Sequence, residues 1–275
     1  MTAEDIPAGL ALCRASRWNQ LARDWEQFLR LDPHGAAVAV RNGRVIGSVA
    51  TLRFGDRFAW ISMVLVDPAE RGQGVGRALL LHGLSLLDGI VARLDATPAG
   101  EVLYRKLGFE AEYGLARFQR DAAPLPNAGA EPHVGALGSS DWPALLAWDA
   151  DVFGADRSAM LQWLADGAPE YAWVSRSAGR IDGFLLGRHG HAFEHLGPVI
   201  AADVNAARRL VSTCLALHPG RSFIIDAPDH HPEWQVWLTQ AGFTMQRPFT
   251  RMFRGDHRHR GRPGHVFASI GPEFG

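Results

Sequence analysis

"RGQGVGR", residues 71–77, lies between the apolar run "FAWISMVLV" (58–66), which ends in Asp67-Pro68, and the run "ALLLHGLSLL" (78–87). The first run reads as a buried strand and the second as a helix. Glycines at 72, 74 and 76 let the main chain approach a ligand with no side chain in the way. Backbone N–H groups at a helix N-terminus lack partners and carry partial positive charge, so strand, glycine turn and helix together make a site for phosphate oxygens. A Walker loop needs Lys and Ser/Thr after the last glycine, but Arg77 and Ala78 follow Gly76. A dinucleotide fingerprint needs its third glycine at position 77, which is Arg. Both are excluded.

Working outward, "SRWNQLARDWEQFLRLD" (16–32) repeats apolar residues at helical steps and predicts an amphipathic helix. "AAVAVRNGRVIGSVATLRFG" (36–55) predicts a hairpin turning at Asn42-Gly43. After the loop and its helix come a strand "VARLDAT", a short helix "AGEVLYRKLGF" closing at Gly108, and a last strand "LARFQR" (115–120). "DAAPLPNAGAEPHVGALGS", rich in Pro, Ala and Gly, is expected to be a linker.

Beyond the linker the same grammar returns. "YAWVSRSAGRIDGFLLGR" mirrors "AAVAVRNGRVIGSVATLR", "SFIIDAPD" mirrors "VARLDATP", "VWLTQAGFT" mirrors "VLYRKLGFE", and "TRMFRG" mirrors "LARFQR". Gly47 pairs with Gly183, Asp95 with Asp226 and Gly108 with Gly242. The second copy is shorter where its own glycine loop belongs, and "AADVNAARRL" contains no glycine. The expected organisation is residues 1–121, a linker over 122–138, and residues 139–275 as a degenerate repeat.

The pattern R/Q-x-x-G-x-G/A, met by Arg71, Gly74 and Gly76, resembles the pyrophosphate loop of the GCN5-related N-acetyltransferase (GNAT) superfamily. "VLVDPAERGQGVGRALL" and "LDATPAGEVLYRKLGF" follow in that family's order and approximate separation. The resemblance is strong over about residues 30–120 and covers the whole chain weakly, as a tandem GNAT. It implies an α/β fold of two GNAT-like domains, each a mostly antiparallel mixed sheet flanked by helices. It also implies acetyl-CoA or another acyl-CoA as cosubstrate, with no metal. By motif position, the main chain of Leu65 and Val66 would bond the pantetheine arm, and Arg71, Gly72, Gln73, Gly74, Val75, Gly76 and Arg77 would cradle the diphosphate. Arg71 and Arg77 are equally readable as ordinary surface residues.

Acyl transfer from a thioester to an amine needs a neutral amine, a donor for the oxyanion and an acid for the thiolate. Tyr104 matches the family's thiolate-protonating tyrosine; its other reading is a tyrosine packed in a helix. Leu238 stands at that place in the second copy. The strand 58–66 has no carboxylate where many relatives place a Glu. Asp95 is then the nearest candidate base or substrate contact in the first copy, although Asp226 at the matching place supports a structural reading. Asp156 and Glu194 are candidate substrate contacts from the second copy, which is expected to help form the acceptor pocket.

The remaining features narrow the class. Histidines 189, 191 and 195, and 257, 259 and 265, form two groups, but neither lies on a helix at metal-ligand spacing, so no metal is expected. The 255–264 tail reads as a mobile loop and "HVFASIG" as a strand. Cys13 and Cys214 sit in apolar segments and read as buried thiols. A net charge of -1 argues against nucleic-acid binding, and no stretch is apolar and long enough to span a bilayer. The expectation is a cytoplasmic enzyme, monomer or homodimer, acting on a small amine. A non-catalytic acyl-CoA binding module is the alternative, and transfer to a hydroxyl or of a longer acyl group also stays open.

Overall fold

In the computed structural model, which describes residues 1–87, 89–125, 131 and 133–275, the chain forms two units that are not consecutive stretches of sequence. Unit 1 comprises Met1–Ala111, Arg251–His257 and Pro272–Gly275, and unit 2 comprises Glu112–Thr250 and Arg258–Gly271. The expected boundaries at 121 and 139 therefore do not divide the molecule. The linker expected over 122–138 lies partly outside the described residues, and its last part contains a strand.

Unit 1 begins with helices α1 (Ile6–Ala15) and α2 (Ala22–Leu31). The single helix expected over 16–32 thus starts only at Ala22. Asp24 Oδ2 accepts the Leu21 N–H at 2.7 Å and satisfies a donor at that helix start. Strands β1 (Ala36–Arg41) and β2 (Arg44–Phe54) form the expected hairpin, with Asn42 and Gly43 at φ of 51° and 74°. Next come β3 (Phe58–Val66), α3 (Val75–Ser85), β4 (Ala92–Ala96) and α4 (Pro98–Lys106). Ile61, Leu79, Leu80, Leu94 and Phe109 fill the core between the sheet and its helices.

In unit 2 the elements are β5 (Glu110–Arg120), which enters from unit 1, β6 (Val134–Ala136), α5 (Trp142–Phe153), α6 (Ser158–Gly167), β7 (Trp173–Ser177), β8 (Arg180–Arg188) and β9 (Glu194–Ala201). They continue with α7 (Val204–Leu217), β10 (Phe223–Pro228), α8 (Pro232–Gln240), β11 (Thr244–Arg254) and β12 (Val266–Ala268). Both sheets are mixed. β2 pairs antiparallel with β1 and β3, while β3 and β4 are parallel; likewise β8 pairs antiparallel with β7 and β9, while β9 and β10 are parallel.

The registers align the two copies strand by strand. Gly47 faces Val66 as Gly183 faces Ala201, and Ala59 faces Ala92 as Glu194 faces Phe223. In both copies the strand carries one extra residue at the same place, around Met63 in β3 and around Pro198 in β9. Trp60, Ser62 and Asp95 thereby correspond to His195, Gly197 and Asp226.

The last strand of each sequence half completes the other unit. In unit 1, β4 lies beside β11, whose Arg251 donates Nε and Nη2 to the two oxygens of Asp95, both at 2.8 Å. Unit 2 repeats the arrangement with β5: Arg117 donates to both oxygens of Asp226 at 2.7 Å. Three residues along each strand, Arg254 lies over Gly108 and Arg120 over Gly242, two positive-φ glycines that end α4 and α8. Arg251→Ala removes the bidentate partner of a fully buried carboxylate. It is expected to destabilise unit 1 by about 3–5 kcal/mol, read by urea denaturation.

Candidate functional site

The 71–77 loop opens α3. Gly72 and Gly74 have φ of 76° and 82°, and a Cβ at either would meet nothing, so backbone conformation alone requires glycine there. Among the described residues, the main-chain N–H groups of Arg71 to Arg77 donate to no protein acceptor. These are the orphan donors that an anion would satisfy. Arg77 is an exposed cation in the first helical turn, a place the helix dipole disfavours unless an anion stands nearby.

Not every side chain of the loop faces outward. Arg71 Nε donates to the Val66 carbonyl at 3.3 Å, and Gln73 Oε1 accepts from Arg41 Nη1 at 2.7 Å. Arg41 also pairs with Glu70, and Arg44 with Asp67 and Glu70. Exposed pairs of this kind contribute little stability, so the network's effect is to hold the loop against the β1–β2 hairpin.

Above the loop, β3 and β4 are paired only at Ala59/Ala92 and Trp60/Arg93. Beyond that point they part, and the stretch of β3 that carries Leu65 and Val66 leaves β4 behind. On the other side of β3, Gly47 of β2 allows a close approach: a Cβ there would come within 2.8 Å of the Leu65 carbonyl and of Leu79 Cδ1.

Unit 2 shows what fills such a lane. β9 and β10 also pair over only two residues, and β12 then enters, pairing with Val199 and Ile200. Ser269 N–H donates to the Asp226 carbonyl at 3.0 Å. At the helix end, Asp203 Oδ1 accepts the N–H groups of Asn205 and Ala206 at 2.8 and 2.9 Å. The second copy therefore occupies both its strand lane and its helix N-terminus with its own chain. Neither device is present at the matching places of unit 1 among the described residues.

Tyr104 projects from α4 over Gly100, where a Cβ would stand 2.9 Å from the ring, and packs against Phe109 at 5.9 Å between centroids. Burial pushes its phenol up to about 12, so it carries its proton at neutral pH. Asp95, by sequence a candidate base or substrate contact with a structural reading beside it, gives both oxygens to Arg251, with a side chain fully buried. Its neighbourhood also holds Trp60, whose ring lies 4.6 Å from the Arg251 guanidinium.

The two candidates in unit 2 are also engaged. Glu194 contacts Arg221 at 3.0 Å and His189 at 2.7 Å, and Asp156 Oδ1 accepts the Ser158 N–H at the start of α6. His195 lies 2.9 Å from Asp226 and accepts from Arg188; burial lowers it to about 4, so it is neutral. Although burial pushes the Asp226 carboxyl upward, Arg117 and His195 hold it well below the usual range. No group of three or more metal-ligating side chains occurs among the described residues, and no helix there is long and apolar enough to cross a membrane.

Comparisons with known proteins agree with this geometry. Models of the acetyltransferase (GNAT) domain match residues 32–111 and 145–268. Holothin acyltransferase of Pseudoalteromonas sp. (strain SANK 73390) is 26% identical over 242 residues, covering 88% of this chain and 82% of that protein. YitH of Bacillus subtilis (strain 168), named an uncharacterized N-acetyltransferase, is 27% identical over 244 residues, covering 87% and 85%. Among solved structures, a putative acetyltransferase from Pyrococcus horikoshii has a TM-score of 0.83 at 20% identity, covering 100% of this chain and 94% of that one. A tandem GNAT protein from the clavulanic acid biosynthesis pathway has a TM-score of 0.64 at 15% identity, covering 92% and 96%.

The raised phenol has a consequence for stability. Tyr104 goes from 10.0 in the unfolded chain to about 12 in the fold, so its contribution is intact below pH 10 and is lost as pH rises toward 12. Tyr104→Phe is expected to flatten the fall in urea-measured stability between pH 10 and 12, relative to the parent protein.

Proposed function

Because the chain belongs to the GNAT family and carries two of its domains, it is an acyltransferase, and we propose that unit 1 moves an acetyl group from acetyl-CoA to a primary amine of a small acceptor by direct transfer. The observation that carries this reading is the contrast between the two copies. At matching places unit 1 has a helix end with free N–H groups and a parted strand pair, where unit 2 has Asp203 and β12. An acyl-CoA has a chemical counterpart for each: a diphosphate for the helix end and an amide-bearing arm that adds to the β3 edge as a strand would.

Tyr104 supports the chemical half of the proposal. A phenol that keeps its proton at neutral pH can hand it to a departing thiolate, and the second copy has Leu238 instead. Direct transfer is supported by the cysteines. Both are buried, burial pushes Cys13 up to about 12 and Cys214 higher still, and neither offers a thiolate to carry the acyl group. With Asp95 held by Arg251, this reading assigns removal of the amine proton to water.

Calorimetry with acetyl-CoA is expected to give one site per chain. Gly74→Val forces a β-branched residue to positive φ and should weaken binding about 100-fold or more while unit 2 stays folded. Two sites per chain, or unchanged affinity of the variant, would remove the loop from the account. Tyr104→Phe should lower turnover about 10- to 100-fold with acetyl-CoA affinity unchanged. Tight binding with no thiol release from any amine would favour a binding module over an enzyme.

A further inference from the structure

Two serines flank the place where the extra residue interrupts the β2–β3 ladder, Ser48 opposite Leu65 and Ser62 opposite Ala50. Ser48 is fully buried and spends its hydroxyl on the Met63 carbonyl, at 2.8 Å. Met63 has a φ of 52°, which marks the bulge itself. Ser62 is 8% exposed, and its Oγ meets no hydrogen-bond partner among the described residues. A buried hydroxyl without a partner costs free energy, so its retention in the core calls for an explanation.

The second copy indicates where that side chain aims. Ser62 corresponds by register to Gly197, and a Cβ on Gly197 would collide with the Ser269 carbonyl, with Ile270 Cα 3.4 Å away. Ser269 and Ile270 follow directly on β12, the segment that fills the lane between β9 and β10. The side chain at this position therefore points at whatever reaches the closed end of the lane, next to the last paired residues. In unit 2 that is the chain's own backbone, and glycine makes room for it. Unit 1 has a hydroxyl there with its donor unspent.

We propose that Ser62 is a catalytic residue of unit 1 that donates its hydroxyl hydrogen to the acyl carbonyl oxygen of the bound thioester. The proposal rests on the acyl-transfer reading above. An arm lying in the lane with its diphosphate at the α3 N-terminus brings its thioester to the closed end, beside Ser62. As the amine adds to the carbonyl carbon, the oxygen gains negative charge, and a fixed donor there lowers the barrier. Ser62 transfers no proton. The C–N bond forms and the C–S bond breaks, the thiolate takes the Tyr104 phenol proton, and the surplus amine proton passes to water, which also restores the phenol.

Acetyl-CoA and CoA differ only at the atoms Ser62 is assigned to meet, so the test needs no acceptor. Each is titrated into the parent protein, Ser62→Ala and Ser62→Thr, and slow thiol release from acetyl-CoA to water is followed alongside. Ser62→Ala is expected to weaken acetyl-CoA binding about fivefold and slow thiol release about tenfold or more, with CoA affinity within about twofold. Ser62→Thr should recover most of both. An acetyl-CoA to CoA ratio and a thiol-release rate unchanged in Ser62→Ala would overturn the proposal alone. So would an equal loss of affinity for both ligands, which marks a purely structural role. A parent protein that binds neither ligand would overturn the acyl-transfer reading, and the role of Ser62 with it.

Discussion

A carboxylate enclosed by a protein core is tolerable only with a partner that meets both of its oxygens, and in this protein that requirement decides which strand goes where. Asp95 finds its partner in Arg251, 156 residues further along the chain, and Asp226 finds its own in Arg117, 109 residues back. Each arginine arrives on the last strand of the opposite sequence half. Breaking either pair takes the bidentate arginine from a buried carboxylate, so each unit is complete only when the other half of the chain has been made. The glycines that close α4 and α8 reinforce the arrangement, because each receives the aliphatic stem or guanidinium of a second arginine from the same exchanged strand.

Within that scaffold the two copies divide their roles through what fills the space between the parted parallel strands. A sheet interrupted by a bulge leaves unpaired edge on one side, and unpaired backbone must find a partner. Unit 2 answers with β12 and with the Asp203 carboxylate at its helix end. Unit 1 keeps three glycines, an N-terminal helical turn of free donors and an outward Arg77. Two hydroxyl side chains follow the same division: Tyr104 and Ser62 in unit 1 stand where unit 2 has Leu238 and Gly197. The second copy thus acts as an internal reference that shows which features of the first are required by the fold and which are additional to it.

Several of these features are legible in the sequence because they depend on local geometry. "RGQGVGR" declares a strand, a turn and a helix through its glycines; Asn42-Gly43 declares a hairpin; Gly108 and Gly242 declare helix ends. The helix expected over 16–32 starts later, at Ala22, and α1 has no periodic signal because "IPAGLALCRA" has little contrast between its faces. By sequence Asp95 reads both as a candidate base or substrate contact and as a structural residue, because its spacing marks only a strand end. Nothing nearby in sequence announces that Arg251 will take both of its oxygens. Ser62 is not legible in the sequence, because a serine in an apolar run carries no pattern of its own.

The sequence by itself determined the repeat, the elements that recur in both copies, the glycine loop and the family, since each is written in short spacings that the backbone reads without help from distant residues. Only the tertiary structure decided the exchange of β5 and β11, the filling of the second lane by β12, and which polar groups remain unspent. "LARFQR" and "TRMFRG" carry equivalent residues, so either could close either sheet by pattern alone. The choice between them rests on long-range burial and charge pairing, which are properties of the folded chain as a whole and have no local signature.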